Sequence, residues 1–408
     1  MRGGVAGGVE QLVVGLARGF SRLRRVGERY FFLAYAGHDE WLRPHLGGSC
    51  DVVHIPYPAR SRRAKGLIRS RLPALVGAFH RVSPLLGSRS IRVARSDGTI
   101  ERAGADVMHF TTQWAFETNV PSIYHPHDLQ HRHLPQYFTP RVRLARDVVF
   151  RRFCEQAKVV AIAWPWGKHD LTQQLSVDEE KVRVIPLAPV FDRALPQDEG
   201  ELAAIARRLE LPRDFALYPA QTWPHKNHVG LLRSLAYLRD QKGIEVPLVC
   251  AGRQNEHYRE IAHEVTALRL ERQVRFVGFV SAAELHGLYQ RCRCVVIPTK
   301  FEAGSFPLWE AFSAGRAAAC SNVTSLPEQA GDAALIFNPD DPRDTAEKIE
   351  RLWIDPALRE ELAARGRARI EQYSWSRTAR IFRAYYRKIS TAPLTREDRL
   401  FLEQTSTP

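Results

Sequence analysis

Short runs of β-branched and aromatic residues alternate along this chain with longer stretches whose apolar positions recur every three or four residues. The first pattern reads as strand and the second as amphipathic helix. Strands are predicted over 30–35, 50–55, 106–110, 121–124, 159–163 and 182–185, and in a second series over 215–219, 246–251, 274–277, 294–298, 317–320 and 334–337. Each is followed by a helical or loop segment, which predicts parallel sheets covered by helices. Between the two series, Pro186, Pro189, Pro196 and the polar stretch 197–201 read as an interdomain hinge. Two doubly wound α/β domains are therefore expected, over 1–190 and 191–372, with a final segment over 373–408. In that segment Ile381, Phe382, Tyr385, Tyr386 and Ile389 form one apolar stripe on a helix starting at Trp375, and the opposite face is rich in arginine. Such a helix packs on its own protein more often than it lies on a membrane. No fixed-period repeat or low-complexity tract interrupts the pattern.

Composition narrows the class. With 408 residues and 44% apolar residues, the chain can bury two cores and is not a disordered polymer. No run approaches the roughly 20 apolar residues of a membrane-spanning helix, and the first residues lack a secretory signal, so a cytosolic protein is expected. The six cysteines are scattered, and Cys292 and Cys294 lack the spacing and second ligand pair of a zinc site; they read as reduced, mostly buried thiols. A net charge of +14 is concentrated in arginine clusters at Arg22, Arg24, Arg25 and Arg29, at Arg60, Arg62, Arg63, Lys65, Arg69 and Arg71, and at Arg141, Arg143, Arg146, Arg151 and Arg152. Aromatics do not interleave with them as a base-stacking surface requires, which argues against nucleic acid. The readings left open are a solvated basic surface and an anionic membrane surface.

Two segments carry chemistry. The stretch from Phe215 to His228 reads as strand, loop and helix start, with Val229, Leu232, Leu235 and Leu238 as the helix stripe and Gly243 as its stop. Asn227 is a candidate cap, and Lys226 beside the first backbone N–H groups makes a candidate diphosphate clamp; a solvated loop lysine is the plain alternative. In the stretch from Phe301 to Glu310, Pro307 suits a first helical position. Glu302 then lies in the loop and Glu310 about one turn into the helix, while the N–H groups of Gly304, Ser305 and Phe306 sit where an anion is favoured. A capped surface helix is the alternative here.

In this order the two segments resemble the retaining glycosyltransferases of family 4, also called group 1, and the resemblance spans nearly the whole chain. Glu302 and Glu310 match that family's pair of glutamates separated by seven residues, and Lys226 in His-Lys-Asn matches its phosphate-binding lysine. His127 in the segment Tyr124 to Gln130 matches its N-terminal-domain histidine, and the tract Ser321 to Gln329 also looks like the family. The resemblance implies the GT-B fold, an α/β architecture of two facing Rossmann-like domains with parallel sheets, and a C-terminal helix crossing back to the first domain. It implies that Lys226 binds the donor diphosphate, Glu310 the nucleotide ribose, and Glu302 with the amides around Gly304, Ser305 and Phe306 the sugar and phosphate. His127 would face the donor sugar from the other domain. It further implies same-face substitution, in which the departing phosphate oxygen takes the acceptor proton and no metal is required. His125, His131 and His133, on a proline-broken loop without a carboxylate set, make a poor metal cluster.

Two departures stand out. Ala220 and Gln221 occupy the stretch where many members carry an arginine that shares the phosphate charge; Arg253 is a candidate substitute. The glycine-rich loop, Gly3 to Glu10, has only Met1 and Arg2 before it, where the family has a strand. A central strand of the first sheet is thus expected to be missing, with a gap in the core and a true start upstream. Gly7 and Gly8 would approach the donor phosphates. The activity implied is transfer of a hexose, mannose from GDP-mannose favoured and UDP- or ADP-sugars as alternatives, to a glycan or lipid-linked acceptor at the cytoplasmic membrane face. A nucleotide-sugar epimerase or hydrolase of the same fold and a non-catalytic basic scaffold are the competing readings. A glycosidase would need both carboxyls flanking one bond, against the loop-and-helix placement of Glu302 and Glu310.

Overall fold

The computed structural model describes residues 7–23, 27–55, 91–189 and 198–405. Gly3 to Ala6, Arg24, Arg25, Pro196, Gln197 and the cluster from Arg60 to Arg71 lie outside the described residues. The chain divides into two compact units, Met1–Leu187 with Ser374–Pro408, and Ala188–Tyr373. The divisions thus fall at 187/188 and 373/374 rather than at 190/191 and 372/373.

The second unit is built on strands β7 (Ala216–Pro219), β8 (Leu248–Ala251), β9 (Val274–Gly278), β10 (Cys294–Ile297), β11 (Ala318–Ser321) and β12 (Ala334–Phe337), numbered after the six strands described in the first unit. They pair in the order β12-β11-β10-β7-β8-β9, all parallel. β7, β8, β10 and β11 are buried throughout, which is why they read as continuous apolar runs rather than alternating ones. Leu231, Leu232, Leu235 and Leu238 of the helix His228–Lys242 pack on this sheet, and Gly243 ends that helix in a left-handed conformation, φ 66°. The order of the strands reverses between β7 and β10, and in a doubly wound sheet the crevice for ligands opens at the carboxyl ends of the strands flanking that reversal. Those two strands lead into Lys226 and Glu302.

In the first unit, β1 (Tyr30–Tyr35) and β2 (Cys50–Ile55) form one parallel pair, and β3 (Met108–Phe110), β4 (Ser122–Tyr124), β5 (Val159–Ile162) and β6 (Val182–Val184) form a separate parallel sheet among the described residues. The two are linked by rings. Phe20 stacks on Tyr30 at 4.4 Å, Tyr30 lies 6.3 Å from Tyr386, and the Tyr386 hydroxyl meets His109 Nδ1 at 2.5 Å. Gly7 and Gly8, read as part of a phosphate-approaching loop, begin a helix: Gly7 caps Gly8–Ser21 with φ 52°, a value that suits glycine. This helix packs against the helix Trp375–Ile389. A Cβ on Gly15 would overlap the Trp375 indole, and one on Gly19 the Trp375 carbonyl. The arginine-rich face of Trp375–Ile389 is not simply solvated. Arg387 bonds Asp398 of the helix Arg396–Gln404 at 2.6 Å and Glu28 at 2.5 Å, and Asp398 is fully buried.

Candidate active site

The second unit assembles its candidate residues from the two strand ends at the reversal. β7 leads through Thr222 and Trp223 into a single 3-10 turn, Pro224–Lys226. Lys226 Nζ lies 2.5 Å from Glu302 Oε2, both side chains being about four-fifths buried, and the Tyr218 hydroxyl donates to the Lys226 carbonyl at 2.6 Å. Asn227 is not the side-chain cap the sequence suggested. It takes a left-handed conformation, φ 57°, and its Nδ2 donates to the carbonyls of Pro298 and Pro339, each at 3.0 Å, which clamps the lysine loop to the end of β10. His225 ties the same loops from the other side, its carbonyl accepting from Lys300 N at 2.7 Å.

Glu302 is held by its backbone. Its N–H donates to Thr324 Oγ1 at 3.1 Å and its carbonyl accepts from Ser325 Oγ at 2.8 Å. The helix Phe306–Ser313 begins one turn later, Ser305 Oγ accepting from Leu308 N. The amide of Ser305, expected at a ligand anion, donates instead to Gln329 Oε1 at 2.8 Å, while Gln329 Nε2 donates to the Ser305 carbonyl at 2.6 Å. This two-point clasp buries both residues and leaves the amides of Ala303, Gly304 and Phe306 without a protein acceptor among the described residues. Glu310 falls in the helix as its position after Pro307 required, but it does not face open solvent. It is 2% exposed and accepts from the Tyr289 hydroxyl at 2.7 Å, so a ribose diol would have to displace or share that bond. Burial, reinforced by the charge of Glu310, pushes the Tyr289 hydroxyl well above its ordinary range and keeps it a donor. Arg253 follows β8, where its guanidinium stacks 5.8 Å from the Phe279 ring centre at the end of β9.

His127 belongs to the first unit. It leaves β4 with φ 62° and its Nε2 lies 3.0 Å from the Thr111 carbonyl, so Nε2 carries the proton and Nδ1 is the acceptor of a neutral ring. Burial holds His127 below its ordinary pKa. Its ring lies 5.5 Å from His125, which stacks on His109 at 4.9 Å. Burial, and secondarily the nearby imidazole of His127, pushes His109 down to about 3, so this is a stack of neutral rings. His131 and His133 point elsewhere, each to its own carboxylate, Asp147 at 2.8 Å and Asp170 at 2.7 Å.

Residues 205–369 match the family described as glycosyl transferases group 1. Over 267 residues the chain is 29% identical to the O-antigen chain mannosyltransferase B of Escherichia coli, a match covering 64% of this chain and 68% of that protein. The second unit carries a group 1 glycosyltransferase domain over residues 205–369. The chain is also 32% identical over 182 residues to the serotype-specific mannosyltransferase WbdA of Escherichia coli, covering 44% of this chain and 22% of that longer protein. Among solved structures, a glycosyltransferase from Rickettsia africae superposes with a TM-score of 0.66 at 16% identity, covering 95% of this chain and 97% of that one. HepE of Anabaena, solved with UDP and glucose, gives 0.65 at 17% identity, covering 94% and 97%. These likenesses establish the fold, and this glycosyltransferase has the GT-B architecture.

Sequence reading missed Tyr289, Thr324, Ser325 and Gln329 as supports of the glutamate loop. Tyr289 carries no signal, since a tyrosine on a predicted helix reads as core. The other three lie in the tract Ser321 to Gln329 already singled out by resemblance, and only the fold reveals that they grip Glu302 and Ser305.

Proposed function

We propose that this glycosyltransferase moves a mannosyl group from a nucleoside diphosphate sugar to a glycan or lipid-linked acceptor with retention of configuration. The observation that carries the reading is the Lys226–Glu302 pair at the strand reversal of the second unit. A lysine at the carboxyl end of a central parallel strand is a cation waiting for phosphate, and the pair gives the ligand-free site a neutral balance. An arriving diphosphate carries more charge than one carboxylate, so it takes Lys226 and releases Glu302 towards the sugar hydroxyls. The amides of Gly304 and Phe306 are further donors for phosphate or sugar oxygens, with Arg253 as further cation and Glu310 as the ribose acceptor once Tyr289 shares its bond.

In this reading His127 supports the sugar from the first unit. The acceptor oxygen attacks the anomeric carbon on the face from which the diphosphate departs. The C–O bond to phosphate breaks, and the departing phosphate oxygen takes the acceptor proton. The protein's share is to stabilise separating charge through Lys226 and the loop amides, with no resident metal assigned. Mannose is supported by the relatives, which are named as mannosyltransferases; GDP-mannose is therefore the first donor to test, with UDP- and ADP-sugars next. No helix among the described residues is long and apolar enough to cross a membrane. We place the enzyme at the cytoplasmic membrane face, held by anionic headgroups on arginines such as Arg141, Arg143 and Arg151 of the helix Pro140–Gln156.

The test is thermal stabilisation by GDP, UDP and ADP in EDTA, followed by transfer from the matching nucleotide mannose. One nucleotide raises Tm in the wild type and not in Lys226→Ala. Stabilisation by none of the three would leave the basic-scaffold reading in its place.

A further inference from the structure

Trp114 is the most exposed large apolar side chain of the first unit among the described residues, 64% of it open to solvent. It sits on a loop that is otherwise tied down. The Thr112 hydroxyl donates to the Trp114 carbonyl at 2.6 Å, the Tyr124 hydroxyl to the Gln113 carbonyl at 2.7 Å, and Phe116 packs edge-on against Phe110 at 4.9 Å. Gln156 Nε2 donates to the Phe116 carbonyl at 3.2 Å. Backbone on both sides of the indole is thus fixed, so its exposure is a held conformation rather than a loop tip in motion.

The placement is specific. Tyr124 is the last residue of β4, so its bond to Gln113 brings the loop to the carboxyl end of the sheet. His127 leaves β4 at that same end and bonds Thr111, three residues before Trp114. What singles out this indole is its place: a large amphipathic ring held out of the core at the end of the sheet from which His127 emerges. Its flat apolar face and single N–H donor suit a pyranose: the axial C–H groups of the ring stack on the indole while the hydroxyls around the edge remain for polar partners. A tryptophan also gives this contact at low conformational cost, because it has only two side-chain torsions to fix.

We propose that Trp114 is the stacking platform for a pyranose ring of the glycan acceptor. The assignment rests on the glycosyl-transfer reading above, and the donor-side residues of the second unit take no part in it.

The experiment uses the full chain labelled with 5-fluorotryptophan, the Trp114 resonance being identified by its loss in Trp114→Phe. α-Linked mannobiose is titrated to millimolar concentration in the presence of GDP. A saturable shift of the Trp114 resonance is expected, with the other tryptophan signals moving less; a Trp114 signal that stays fixed throughout overturns the proposal. In transfer assays from GDP-mannose, Trp114→Ala raises the acceptor KM about tenfold, Trp114→Phe restores most of it, and both keep the wild-type donor KM and nucleotide-induced rise in Tm. A rise in donor KM instead would assign the indole to the nucleotide and likewise overturn the proposal. Failure of the glycosyl-transfer reading has a different signature: no nucleotide raises Tm in the wild type, whatever mannobiose does to Trp114.

Discussion

Lys226 and Glu302 are poised against each other, and their substitutions should not behave alike. Lys226→Ala removes the cation and is expected to weaken nucleoside diphosphate binding by about tenfold or more. Glu302→Gln removes the competitor for that cation, so GDP itself should bind at least as tightly as in the wild type while turnover of the sugar nucleotide falls. Isothermal titration of both variants, with kcat for the second, checks the pair; equal loss of GDP affinity in both would contradict the competition. Glu310 poses a different problem, since its carboxylate is buried against Tyr289. Tyr289→Phe leaves a buried acceptor short of a donor and is expected to cost about 1–3 kcal/mol in chemical denaturation. His228 is a third case: it is 2% exposed, neither ring nitrogen has a partner among the described residues, and the ring lies 4.7 Å from Tyr218. Burial, then the neighbouring His257 and Lys226, pushes it down to about 3. The unfolded chain takes up this proton below about 6.5 while the native one refuses it until about 3, so stability is complete above that range and falls as pH drops through it, by about 1.4 kcal/mol per pH unit for such a group. His228→Phe should flatten the decline between pH 6.5 and 5; an unchanged slope would show that the ring is solvated in the native state.

Among the elements, the contact between the helices Gly8–Ser21 and Trp375–Ile389 is the tightest test of packing. Gly15 and Gly19 are one turn apart on one face, and Trp375 and Ala379 fill the space where their side chains would stand. Gly15→Ala is therefore expected to destabilise by about 1–3 kcal/mol, although alanine favours an isolated helix. The same substitution in a helix without this contact would stabilise, so the sign of the change in Tm decides. The arginine face of Trp375–Ile389 makes the converse point. The sequence shows that face only as rich in arginine, whereas Arg383 and Arg387 are 9% exposed and are answered by Asp398, Glu397 and Glu28 from other segments. Periodicity along one helix cannot reveal partners that arrive from distant sequence.

Taken whole, the molecule has two units with separate cores, and a nucleotide bound by the second should register there first. Hydrogen exchange with saturating nucleotide is expected to slow at 221–228 and 301–306, with β3 to β6 of the first unit unchanged; protection spread evenly over both units would contradict this assignment. The basic charge is divided in use. Arg152 bonds Glu117 at 2.6 Å and Arg146 stacks 4.7 Å from the Phe138 ring, so part of the cluster on the helix Pro140–Gln156 already serves the fold.

All twelve strands among the described residues fall where the apolar runs predicted them, and Trp375–Ile389 is a helix with the expected stripe, because strand burial and helical periodicity are local properties written directly in residue order. The motif spacing likewise put Glu302 in a loop and Glu310 in a helix. What the sequence could not decide is which partner each polar group takes. That Glu302 meets Lys226 across 76 residues, that Ser305 gives its amide to Gln329, that Glu310 turns to Tyr289, and that Trp114 remains outside the core all depend on strand order and loop closure. A hydrogen bond or a stacked ring is chosen by distance in space, and only the folded chain sets that distance.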